Sequence, residues 1–111
     1  KNHFQDIKER KGIQDEGRKV IMNHYPEPFY WHDYDERVYM LYGHVHNTTE
    51  AQAVEAIRRI VLPAVPNHKA HLYNCWCGFF GWAPATLDEI IEFYKELDKN
   101  EIYSSDGGYF A

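Results

Sequence analysis

Apolar positions in this chain fall into two kinds of pattern. Val20, Ile21 and Met22 are consecutive within Arg18 to Asn23, and Val38 to Tyr42 forms a second run. Such short runs without alternation predict strands buried on both faces. The first stops at His24-Tyr25-Pro26 and the second at Gly43. A periodic pattern follows: Thr49 and Gln52 have capping-box spacing, and Val54, Ile57 and Val61 form a stripe that Pro63 closes, predicting a helix. Thr86 with Glu89 repeats the signature ahead of Leu87, Ile90, Ile91, Tyr94 and Leu97, predicting another.

The remaining segments read more locally. Phe4, Ile7, Arg10 and Lys11 predict a short helix ended by Gly12, and Asp15-Glu16-Gly17 a turn. Tyr25 to Glu36 holds two prolines and the aromatics Tyr25, Phe29, Tyr30 and Trp31, and predicts an irregular loop of a length that usually carries function. After a linker from Pro63 to Lys69, Ala70 to Asn74 is a short strand, and Cys75 to Pro84 is a Gly- and aromatic-rich loop. Residues 100–111 form a loose tail. Strands alternate with helices, so the fold class is α/β, with residues 1–111 forming a single domain or a fragment of one.

Composition narrows the function classes. The chain has 111 residues, 44% apolar, enough for a core but small for an α/β enzyme with a deep active site. It begins at Lys1 rather than Met, in agreement with a fragment. Acidic residues outnumber basic ones 17 to 12, and no basic stripe is interleaved with aromatics, so nucleic acid is not indicated as a partner. There is no apolar run long enough for a membrane and no signal peptide. Cys75 and Cys77, one residue apart, fit free thiols better than a structural disulfide, and the expected location is cytoplasmic.

Histidine carries the candidate chemistry. Both apolar strands lead into it: Met22-Asn23-His24-Tyr25-Pro26, then Leu41-Tyr42-Gly43-His44-Val45-His46-Asn47. Reactive groups in open α/β sheets gather where strands end, since loops there vary while the strands hold them. In extended backbone His44 and His46 project to the same side, and two imidazoles so placed reach one metal ion or two adjacent ones. Three histidines also suffice for a single zinc with an open position. His71 with Cys75 and Cys77 offers a soft site short of a fourth ligand. The plainest alternative is histidines that are only hydrogen-bonded in the fold.

These motifs, in this order, resemble the last two of the calcineurin-like metallophosphoesterases. The resemblance extends to Tyr73-Asn74 with its Gly-rich loop, to Pro84-Ala85-Thr86-Leu87-Asp88-Glu89-Ile90 as the closing segment, and upstream to Ile13 through Val20. It covers about Phe4 to Leu97. It implies the C-terminal half of an αββα sandwich and a two-metal phosphoric ester hydrolase. His24 and His44 would bind one metal, His46 the other, and Asn47 would hydrogen-bond behind them. The family's Asp-x-His, Gly-Asp-x-x-Asp and Gly-Asn-His motifs do not occur in the chain, and with them the bridging Asp and the acid His. The isolated chain is therefore expected to be inactive.

The implied cofactors are divalent Mn, Fe, Zn or Ni. The implied partners are a phosphoester substrate, walled by Tyr25, Trp31 and His32, and either a missing N-terminal half or a second copy. The second expectation follows from strands buried on both faces, one of which a half-fold would leave bare. The alternative function is a truncated, non-catalytic module that binds metal or a protein partner.

Overall fold

The computed structural model describes residues 2–4, 10–43, 48–75 and 85–99. The expected tail, and the loop after Cys75 up to Pro84, lie outside the described residues. Four strands form the main sheet: β2 (Lys11–Asp15), β3 (Arg18–Asn23), β4 (Val38–Tyr42) and β5 (Leu72–Asn74), in the order β2-β3-β4-β5. β2 and β3 form an antiparallel hairpin, while β4 runs parallel to β3 and β5 parallel to β4. A separate ribbon pairs β1 (His3–Phe4) antiparallel with β6 (Ala85–Thr86).

The two-residue hairpin turn has Glu16 at φ 53° and Gly17 at φ 83°. Positive φ at both positions matches the right-handed twist of the flanking strands. Lys11 and Gly12 belong to β2, paired with Met22 and Ile21, and not to the end of a helix as their sequence context suggested. Pairing across a tight turn outweighs a faint helical period carried by few apolar residues. The Lys19 side chain lies across Gly12, its Cε 2.9 Å from where a β-carbon would stand, and its flexible end could move aside.

Alternating residues of the strands enter two separate cores. Val20, Met22, Leu41 and Tyr73 meet Phe4 and Ala85 of the ribbon and Leu87, Ile90 and Tyr94 of helix α2 (Leu87–Lys99). Ile21, Val38, Met40, Tyr42 and Leu72 meet Tyr30 from the β3–β4 loop and Ala51 and Val54 of helix α1 (Thr49–Ala56), with Leu62. Helices on both faces of a mostly parallel sheet make the fold α/β. The bare face expected on β3 and β4 does not occur: both faces are buried by the chain's own elements. Each such buried side chain contributes roughly 1.5–3 kcal/mol, and the uninterrupted apolar runs reflect that double coverage.

Helix boundaries follow their caps. The Thr86 N–H donates to Glu89 Oε1 at 2.8 Å and the Glu89 N–H to Thr86 Oγ1 at 3.2 Å, the reciprocal box expected for α2. α1 is capped one residue earlier than expected: Thr48 Oγ1 accepts from the Ala51 N–H, so the Thr49–Gln52 box is not what starts it. Nor does the helix stop at Pro63. It widens into a π-helical turn, Ile57–Val61, and tightens into a 3-10 turn, Leu62–Ala64, whose first positions tolerate Pro63. β5 begins at Leu72 rather than Ala70, because Ala70 takes a positive φ of 57° that no strand residue adopts.

The π-turn carries the most buried Arg or Lys among the described residues. Arg58, 6% exposed, donates to Glu55 at 2.7 Å and to Asp98 of α2 at 2.7 Å, and its guanidinium lies 4.6 Å from the Tyr94 ring centroid. It therefore ties α1 to α2. Removing one member of a buried charge set leaves the other uncompensated. Arg58→Ala is expected to lower the unfolding free energy by about 3–5 kcal/mol, measured by urea denaturation. Arg37→Ala removes a pair held to Asp35 at the solvent-exposed surface and is expected to leave the urea midpoint nearly unchanged.

Candidate functional site

The three parallel strands end together. In the β3–β4 register Asn23 lies opposite Tyr42, and in the β4–β5 register Tyr42 lies opposite Asn74. His24 and Gly43 are the next residues on their strands, so both leave the sheet at the same edge. The Cys75 N–H donates to Tyr42 O at 2.9 Å, extending the pairing one residue past β5. Asn74 and Cys75 are fully buried there. The Asn74 N–H donates to the Tyr94 hydroxyl at 2.9 Å, so α2 closes the outer side of β5.

His24 is half-buried, with Tyr25 edge-on to its ring at 4.9 Å and 86°. Nearby, Asn23 Nδ2 donates to Glu27 Oε2 at 2.8 Å, and Arg10 Nε donates to the same oxygen at 2.7 Å. His44, His46 and Asn47 lie outside the described residues. Among the described residues no group of three or more His, Cys, Asp or Glu is arranged to hold a metal. His24 is the member of the expected ligand set that the structure places, at the edge the strand pattern called for.

Other expected site residues are distributed differently. Tyr25 accompanies His24, but Trp31 and His32 stack on each other, centroids 3.4 Å apart and planes 11° from parallel. They line a hollow with Gln14, Lys19, Arg37 and Val38, where β3 and β4 begin, whereas His24 stands where β3 ends. His71 and Cys75 do not meet as a soft metal site. They lie on either side of β5, four residues apart along extended chain, roughly 13 Å, and Cys75 is a buried thiol in the α2-side core. Cys77 lies outside the described residues.

Two histidines take purely architectural roles. His68 donates from Nε2 to Pro28 O at 2.8 Å and accepts the Ala70 N–H on Nδ1 at 2.9 Å, which fixes its tautomer. It thereby fastens the β3–β4 loop to the approach to β5. His71 Nδ1 donates to Val38 O at 3.1 Å, and its ring stacks on Tyr39 at 4.3 Å. Its backbone N–H donates to the Tyr30 hydroxyl at 2.8 Å. Burial drives the Tyr73 phenol up to about 12 and the Tyr42 and Tyr94 phenols well above their ordinary range, so all three are neutral near neutrality.

No family model, curated protein or solved structure matches this chain. No helix among the described residues is long and apolar enough to cross a membrane.

Burial also holds the His71 pKa below its ordinary value of 6.5. The unfolded chain therefore takes up this proton at a higher pH than the folded chain does. The stability tied to neutral His71 is fully present above the unfolded pKa, about 6.5, and is lost as pH falls below it. The urea midpoint is expected to drop between about pH 7.5 and pH 5, and to drop less in His71→Asn, which keeps a donor for Val38 O but does not titrate.

Proposed function

We propose that this chain supplies the histidine share of a two-metal site in a phosphoric ester hydrolase of the calcineurin-like type. An αββα sandwich, which the resemblance implies, would need one sheet face free for a second sheet, whereas α1 and α2 cover both faces of β3 and β4, so the reading keeps the site but not that layering. The observation that supports the reading is the parallel β3–β4 register, which ends both strands side by side and so brings His24 level with Gly43, the residue that precedes His44-Val45-His46 in the sequence. The motif order in the sequence supports the same conclusion. His24 and His44 serve one divalent ion and His46 the other, with Asn47 hydrogen-bonding behind them. Such a pair of ions lowers the pKa of a bound water and clamps the oxygens of a phosphoryl group.

The chain's own residues contribute position. Strand β3 positions His24 just past its end, and the Tyr25 ring against His24 restricts that imidazole's rotation. Tyr25 is the candidate wall of the substrate pocket at this edge. The bridging carboxylate and the general acid come from residues that this chain does not contain, and these would reach the strand ends rather than the faces of β3 and β4, which are filled.

That filled core favours a second reading, in which the chain is a self-contained module that binds metal without turnover. Calorimetric titration with Mn²⁺ or Zn²⁺, together with an assay on a bis-aryl phosphate, separates the two. Both readings expect metal binding that His24→Ala and His44→Ala each weaken at least tenfold, a typical loss for a ligand or its support. Turnover, once the missing carboxylate-bearing segment is restored, supports the hydrolase, and its absence supports the module. Metal affinity unchanged in both variants contradicts both readings.

A further inference from the structure

The β3–β4 loop crosses the α1 face of the sheet and buries Tyr30, but the β2 side of that face stays open, with Gly12 and Gln14 exposed and Lys19 half-buried. The floor there is Gly12, Lys19 and Ile21, and Trp31 stands over it. The hollow has a volume of about 270 Å³ and adjoins the second, of about 440 Å³, that Trp31 and Lys19 share with His32 and Arg37. Ligand sites occupy roughly 300–1,000 Å³, so the pair has room for one small molecule.

Three features of this groove bear on what it holds. Trp31 is 51% exposed, although it sits on a protein with a well-filled core. His32 stacks on it from a backbone at φ 51°, a conformation that is uncommon outside glycine. One face of the indole is thus backed by a parallel ring, which fixes its plane. Lys19 lies across Gly12 along the same floor and takes part in none of the ion pairs among the described residues, while Asp35, the carboxylate that lines the adjoining hollow, is paired with Arg37. Arg10 and Arg37 flank it, but each is already committed, to Glu27 and Asp35. The groove therefore offers a fixed aromatic plane and an uncompensated cation side by side. Stacking on a rigid aromatic is sequence-tolerant for any base, and an ammonium pairs with phosphate as a point charge.

We propose that the Trp31–Lys19 groove binds a nucleoside monophosphate, with the base stacked on Trp31 and the phosphate on Lys19. The site is distinct from the one at His24, because His24 lines neither hollow and the proposed contacts are Trp31 and Lys19. It does not rest on the hydrolase reading.

Calorimetric titration of the chain with AMP in EDTA tests it. AMP is expected to bind with a Kd below about 1 mM, adenosine and ribose 5-phosphate each distinctly more weakly. Trp31→Ala and Lys19→Gln should each weaken AMP roughly tenfold or more, Trp31→Phe should recover most of the loss, and His24→Ala should change nothing. Both positions are solvent-accessible, and circular dichroism checks that the variants fold. Failure of AMP to bind the unmodified chain overturns the proposal. So does binding that survives either Trp31→Ala or Lys19→Gln, or that is lost in His24→Ala.

Discussion

The parallel pairing of β3 with β4, buried on both faces, is the constraint on which the rest of the structure depends. A parallel pair cannot be closed by a tight turn, so the chain must travel the length of the sheet between the two strands. It does so as an irregular loop rather than a helix. The loop is held down where Tyr30 enters the core and where His68 donates to Pro28 O. That path leaves His24 at one end of the sheet and Trp31 and His32 toward the other. The same pairing delivers the ends of β3 and β4 side by side, which is what places His24 level with Gly43.

Closing the sheet at β5 requires a different solution. The strand is short and lies at an edge, where unpaired backbone groups are a liability. Here the Tyr94 hydroxyl accepts from the Asn74 N–H, and Arg58 bridges Glu55 and Asp98 beside the Tyr73 and Tyr94 rings. The π-turn at Ile57–Val61 accompanies this arrangement, with Arg58 turned inward and Ile60 and Val61 left at the surface. Polar groups thus seal an edge that apolar packing alone would leave open.

Much of the architecture was legible in the residues. Val20–Met22 and Val38–Tyr42 are strands buried on both faces, and the Thr86–Glu89 box starts α2. These features depend on near neighbours and on burial, which a sequence pattern expresses directly. What was not legible depends on distant partners. Nothing local marks Lys11 and Gly12 as strand, since their pairing with Met22 and Ile21 decides it. Nothing local shows that the chain's own elements cover both faces of β3 and β4. Among the histidines, identical residue types separate by surroundings: His68 and His71 are held by backbone carbonyls, whereas His24 stands at a strand end. The strand-end position of His24 follows from its place after an apolar run.

The central claim is that the strand-end histidines form a metal site, and X-ray absorption on the zinc-loaded chain tests it most directly. The account predicts nitrogen neighbours at about 2.0–2.1 Å with the outer scattering of imidazole rings, and a loss of that imidazole signal in His24→Ala. A shell made only of oxygen, or an imidazole signal untouched by His24→Ala, would contradict it.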